Sequence, residues 1–191
     1  LTVLLLVMVM VLTFSSTLLA EDFRNVNWGM GMEQVKQNED GELYKENEKS
    51  LFYKVELKRN DYLLGYFFQN DKLYRTKYVL IDTFANRNKY IDIRDNIFEL
   101  LENKYGEADE DEMLWTDDLY RDDYSDYGTA VGLGHLTYFS VWETDKVNIW
   151  LALMGDGNFD ITFGIEYIST EYSHLAEEAE KEQENKTSDN L

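Results

Sequence analysis

The sequence predicts an α+β fold: an antiparallel sheet made of two helix-plus-β-meander units, with the helices packed on one face. Three observations carry this. Short runs in which apolar and polar residues alternate with period 2 recur between polar turns, as in strands with one wet face. Between two groups of such runs, from Asp92 to Tyr105, the apolar period becomes helical. The order helix, three strands, helix, four strands then repeats an arrangement without repeating residue identity. The two units fall at about 21–85 and 90–170 of a single domain spanning 21–175, followed by a polar tail at 176–191 expected to fray.

Each element has its own signal. Gly29 to Glu39 reads as a short helix with Met32 and Val35 on one face and Glu33 in its first turn. The polar stretch from Asn38 to Lys49 contains Gly41 and reads as a loop. Leu51, Tyr53, Val55 and Leu57 alternate with Lys54, Glu56 and Lys58 in a first strand, and Asn60 and Asp61 are expected to make its turn. YLLGYFFQ, apolar on both faces, and LYRTKYVLI form the next two strands around a Gln69 to Lys72 turn. In the following helix Ile93, Ile97, Leu100, Leu101 and Tyr105 share a face; Asp92 is expected to cap it and Gly106 to end it. LWTDDLY, HLTYFSVW, VNIWLALM and DITFGIEYI supply four more strands, with hairpin turns at Thr144 to Lys146 and at GDGNFD. A polar helix opens the C-terminal segment.

Composition narrows the class. The first twenty residues carry no charge, Pro or Gly, and the chain then changes abruptly to EDFRNVNWG. An apolar run from Val3 to Leu12, a softer Thr13 to Thr17 stretch and Ala20 match a secretory signal peptide at 1–20, with cleavage before Glu21. An uncleaved anchor is the alternative, because about 18 apolar residues can cross a bilayer; removal leaves no stable membrane span. With 38 acidic and 18 basic residues the net charge is −20, which argues against nucleic acid or anionic lipid as partners. Aromatic residues make up 15% of the chain, too many for a disordered one. No Cys is present, so disulfides and lipidation at an N-terminal Cys are excluded. Exported domains of this size without disulfides point to bacteria and to a periplasmic or extracellular location.

The stretches FRNVNWGMGMEQVKQNED and LLGYFFQNDKLYRTKYVL resemble a module of exported bacterial proteins of uncharacterised function. There an aromatic, a hydrophobic residue and a Trp-Gly pair precede a short helix, and a later strand reads Tyr-x-Phe before a turn and Leu. The matching positions are Phe23, Val26, Trp28, Gly29, Glu33, Val35, Tyr66, Phe68 and Leu73. The module commonly caps its helix with Ser or Thr, where this chain has the weaker Gly31. The arrangement is also similar, at the level of fold alone, to outer-membrane-assembly lipoproteins and secreted β-lactamase-inhibitor proteins. That likeness implies binding of other proteins without catalysis; without a Cys, lipoprotein status does not carry over.

Material for catalysis is sparse. His135 and His174 are the only histidines, both expected at solvent-facing structural positions, and no HExxH, GxSxG, Walker loop or GxGxxG is present. The densest feature is the acidic 109–126 segment. Its Asp117, Asp118, Asp122, Asp123 and Asp126 offer enough oxygens for calcium, although an EF-hand fails because Gly134 stands where the closing Glu is required. A solvated acidic loop is the plainer reading, and paired carboxylates for glycoside hydrolysis are a third. The aromatic residues exceed what one core face must hold, so Tyr66, Phe68, Trp142 and Trp150 are candidates for a binding surface, with ordinary core packing as the competing account.

The reading that follows is an exported, non-enzymatic binding module whose sheet face or strand edge recognises a protein or envelope component, with no cofactor. The alternatives are a calcium-dependent or carbohydrate-binding protein using the acidic segment, or a hydrolase using two of its carboxylates.

Overall fold

Alternation along the chain becomes a single eight-stranded antiparallel sheet in the computed structural model, which describes residues 22–188. The expected signal segment lies outside the described residues. The elements are α1 (Met32–Asn38), β1 (Glu42–Asn47), β2 (Ser50–Leu57), β3 (Asn60–Gln69), β4 (Lys72–Leu80), α2 (Asn88–Tyr105), β5 (Glu110–Trp115), α3 (Tyr127–Gly132), β6 (Leu136–Glu143), β7 (Val147–Gly155), β8 (Ile161–Ser169) and α4 (Ser173–Ser188). The strand order β1-β2-β3-β4-β8-β7-β6-β5 joins two four-stranded meanders through the last strand of each, Tyr78 opposite Ile165 at the seam. The first strands, β1 and β5, therefore become the two edges. This is the α+β class, and no described helix is long and apolar enough to cross a membrane.

One face of the sheet builds the core. Tyr53, Tyr62, Leu64, Tyr66 and Tyr78 from the first meander and Leu136, Trp142, Ile149, Leu151, Leu153 and Phe163 from the second are all buried there. The Phe23 to Val26 turn and α1, through Val35, cover the first meander. Ile91, Ile97 and Leu101 of α2 lie over the seam and the second. At the end of α3 the backbone approaches β7 so closely that a Cβ on Gly155 would stand 2.0 Å from the Val131 carbonyl oxygen, which leaves room only for glycine.

Several elements differ from expectation. Glu42–Asn47 is a strand, not a loop; all six residues are exposed, so no burial alternation marks it. The turn after β2 sits at Lys58 and Arg59, with φ of 51° and 67°, while Asn60 and Asp61 already pair in β3. Neither residue has the Asn-Gly signature of such turns. Helix α2 starts a turn before Asp92, which is an interior helical residue and caps nothing. The strand expected at LWTDDLY lies upstream at Glu110–Trp115, and α3, with a 3-10 turn at Tyr124–Asp126, was not foreseen.

Helix α4 continues to Ser188 where a frayed tail is expected from 176, and it does not share the face of the other helices. It crosses the opposite face at the β3–β4 hairpin. Glu182 accepts hydrogen bonds from Lys49 and from Gln69 (2.8 Å), and Ala179 faces a cleft floored by Phe67 and Tyr74. Docking of these polar side chains explains a helix whose sequence has little apolar periodicity.

Candidate functional site

The acidic segment resolves into local turn chemistry. Asp117 Oδ1 accepts the Leu119 N–H at 2.8 Å, and Asp118 pairs with Arg121 at 2.9 Å. Asp123 Oδ1 accepts the backbone N–H (2.9 Å) and hydroxyl (2.7 Å) of Ser125, which hold its carboxyl below its ordinary pKa. Asp126 precedes α3 without a side-chain cap bond. Upstream, Asp111 accepts from Arg94 and from Ser140 Oγ (2.7 Å), and Asp109 Oδ2 accepts the Glu143 N–H at 2.7 Å. Each of these contacts satisfies a neighbour in sequence, an adjacent strand or, for Asp111, Arg94 of α2. Among the described residues no group of three or more His, Asp or Glu converges as a cation site would require.

Three of the four aromatic candidates are core residues. Tyr66 and Phe68 are buried in β3, and Trp142 is buried in β6 with its indole N–H donating to the Gly106 carbonyl at 3.0 Å. Burial follows from register: Tyr66 and Trp142 occupy positions that point at α1 and α2. Trp150 alone is on the surface, 43% exposed, because it alternates with Ile149 and Leu151. His135 is only half-buried and stacks on Tyr120, ring centroids 6.0 Å apart.

Register also defines what surrounds Trp150 on the sheet face opposite α2. One row across all eight strands runs Lys45, Phe52, Gly65, Lys77, Glu166, Trp150, Val141, Glu110. The next runs Glu42, Lys54, Leu63, Val79, Gly164, Ala152, Phe139, Glu112. The lysines of these rows all lie on the first meander and, Glu42 at the β1 edge apart, the glutamates on the second. In the middle Glu166 bridges Lys77 (3.1 Å) and Arg75 (3.5 Å). Met154, 43% exposed, and Leu114, 50% exposed, extend the apolar part around Trp150. Helix α4 packs on β3, β4 and β8, while Trp150, Met154 and Leu114 farther along this face are exposed.

The other notable assembly centres on a buried carboxylate. The Glu39 carboxylate, fully shielded, accepts from Arg24 Nη2 (3.0 Å) and Nε (3.1 Å), from the Gly41 N–H (2.8 Å) and from the Tyr66 hydroxyl. Arg24 also meets the Tyr78 hydroxyl. Every member satisfies another, so the cluster reads as structural. No sequence signal marks it, since Arg24 and Glu39 lie fifteen residues apart with α1 between them. The open face around Trp150 did have one: in VNIWLALM, Asn148, Trp150, Ala152 and Met154 form the second of two interleaved sets. Comparison with protein-family models, with curated proteins and with solved structures finds no match to this chain.

Proposed function

We propose that the domain is an exported, non-enzymatic interaction module of the bacterial envelope, and that its ligand is a protein docking on the uncovered sheet face around Trp150. The observation that carries this reading is the exposure of Trp150, Met154 and Leu114 on a regular face otherwise lined by Phe139, Val141 and Ala152. Aromatic and methionine side chains at the centre of a patch, with charge at its rim, are the composition of protein interfaces. The charge gradient along the rows selects the partner's chemistry: an apolar centre, an acidic flank facing Lys45, Lys54 and Lys77, and a basic flank facing Glu110 and Glu112.

The test is capture of envelope proteins by residues 21–191 and by a Trp150→Glu variant, each with calcium and with EDTA. The expected result is a protein held by the wild-type domain in both conditions and lost from the variant. Retention by the variant would remove the face from consideration, and capture that needs calcium would transfer the function to the acidic segment.

A further inference from the structure

At the seam between the meanders, on the core side of the sheet, a cavity of about 190 Å³ lies beneath the C-terminal end of α2. Its walls combine the apolar side chains of Phe23 from the N-terminal turn, Leu57, Ile97, Leu101 and Ile165 with the polar ends of Arg24, Lys104 and three tyrosines. Apolar walls with a few polar groups at one side are the make-up of a site for a ligand that has both an apolar body and a polar head. A second cleft of about 420 Å³, lined by Trp28, Thr144 and Lys146, adjoins it and shares Lys104 and Tyr105 as a common wall.

The polar groups at the cavity point to one charge type. Arg24 is matched by Glu39, and Lys146 by Asp22 at 3.7 Å. Lys104 pairs with no carboxylate among the described residues; its ammonium lies 4.8 Å from the centre of the Tyr105 ring. The Tyr167 hydroxyl makes no hydrogen bond among the described residues, and burial holds its pKa well above the ordinary value, so it stays a donor. An unpaired cation and an unused donor thus line the same cavity.

We propose that this cavity is a binding site for a small amphiphile with an aromatic or branched apolar body and a single anionic head. The body occupies the space between Phe23, Ile97 and Ile165. The head meets Lys104 and the Tyr167 hydroxyl, a charge-assisted pair of contacts of the kind that anchors carboxylates and sulfonates. The site is separate from the open face, on the other side of the sheet, and does not depend on that reading.

The probe is 2-naphthoate, titrated into residues 21–191 by calorimetry and by the fluorescence of Trp28, with 2-naphthalenemethanol as the neutral counterpart. One-to-one saturable binding of the anion is expected, at least tenfold tighter than the alcohol. Lys104→Glu, a surface change, should weaken the anion tenfold or more and leave the alcohol unchanged. Leu100→Trp, which fills the cavity from a half-buried wall position, should abolish both; circular dichroism and the melting temperature verify that each variant is folded. Trp150→Glu should bind like the wild type. The proposal is overturned by no saturable binding up to millimolar probe, by equal affinity for anion and alcohol, or by binding that survives both Lys104→Glu and Leu100→Trp.

Discussion

The two meanders follow the same path, four antiparallel strands that end at the middle of one sheet, yet their interiors and surfaces are built from different chemistry. The first packs Tyr53, Tyr62, Tyr66 and Tyr78 beside the buried Glu39 carboxylate and its partner Arg24, and between residues 42 and 80 it carries eight basic and six acidic side chains. The second packs Leu136, Ile149, Leu151, Leu153 and Trp142, and between 81 and 170 it carries six basic and twenty acidic ones. Tyrosine fills as much space as phenylalanine but brings a hydroxyl that must be satisfied. Glu39 and Arg24 meet that need for Tyr66 and Tyr78; in the second meander the buried polar contact is a different one, Arg94 of α2 with the Ser140 hydroxyl and Asp111. One topology thus tolerates two cores, one in which a carboxylate serves tyrosine hydroxyls and one dominated by aliphatic packing with a single arginine contact. A related asymmetry reaches the open face, where the lysines of both rows lie on the first meander and, Glu42 at the β1 edge apart, the glutamates on the second.

If apolar packing dominates the second meander, Trp142→Ala should have the largest effect. It empties a site 1% exposed, removes the contact with Phe98 at 5.4 Å and strands the Gly106 carbonyl. A loss of about 4 kcal/mol in urea denaturation is expected, equal at pH 7 and pH 9. Glu39→Ala is the matching test of the first meander, expected to cost about 3 kcal/mol because it leaves Arg24, Tyr66 and the Gly41 N–H without their acceptor. A loss under about 1 kcal/mol would mean that the two cores do not differ in the way described.

Alkaline pH tests the buried tyrosines. Burial raises the pKa of Tyr62, Tyr66, Tyr78 and Tyr167, and the bond to Glu39 adds to the effect at Tyr66. A tyrosine whose folded pKa lies above its unfolded value contributes stability that is complete below about pH 10 and is lost as pH rises beyond it, because only the unfolded chain releases the proton there. The melting temperature should therefore fall above pH 10, with tyrosinate absorbance appearing together with unfolding. Tyr66→Phe should cost about 1.5 kcal/mol at pH 7 and less at pH 11, where the wild type has already lost that contribution. A parallel fall in both proteins would show that Tyr66 is not the group responsible.

Legibility in the sequence followed burial. Strands β2, β6, β7 and β8, whose one face is buried, show the alternation that places them, and the apolar stripe of α2 identifies that helix. Strand β1 is exposed at every residue and is held by hydrogen bonds to β2, so nothing in ELYKEN distinguishes it from a loop. Register decided the fate of the aromatic candidates. Tyr66 and Trp150 are equally prominent in composition, and only the pairing of strands puts one beneath α1 and the other on the surface. The Arg24–Glu39 pair depends on the Phe23 to Val26 turn, in which Arg24 adopts φ of 48°, a conformation that its residue type does not announce.

The smallest effects belong to the acidic segment, where the second meander concentrates its charge without using it in the core. Asp123 is fully exposed, and its carboxyl pKa is lowered by the hydroxyl and backbone bonds from Ser125. A carboxyl with a depressed folded pKa contributes stability above its unfolded pKa, near 3.9, and loses it as pH falls through the folded value. Asp123→Ala should therefore lower the melting temperature slightly at pH 7 and leave it unchanged near pH 2. Calcium should not shift the melting temperature of either protein relative to EDTA, because the Asp123 oxygen that a cation would need is occupied by Ser125 and its neighbours point into separate turns. A rise with calcium that disappears in Asp123→Ala would overturn this and make the acidic half of the molecule, not the open face, the place to look for a ligand.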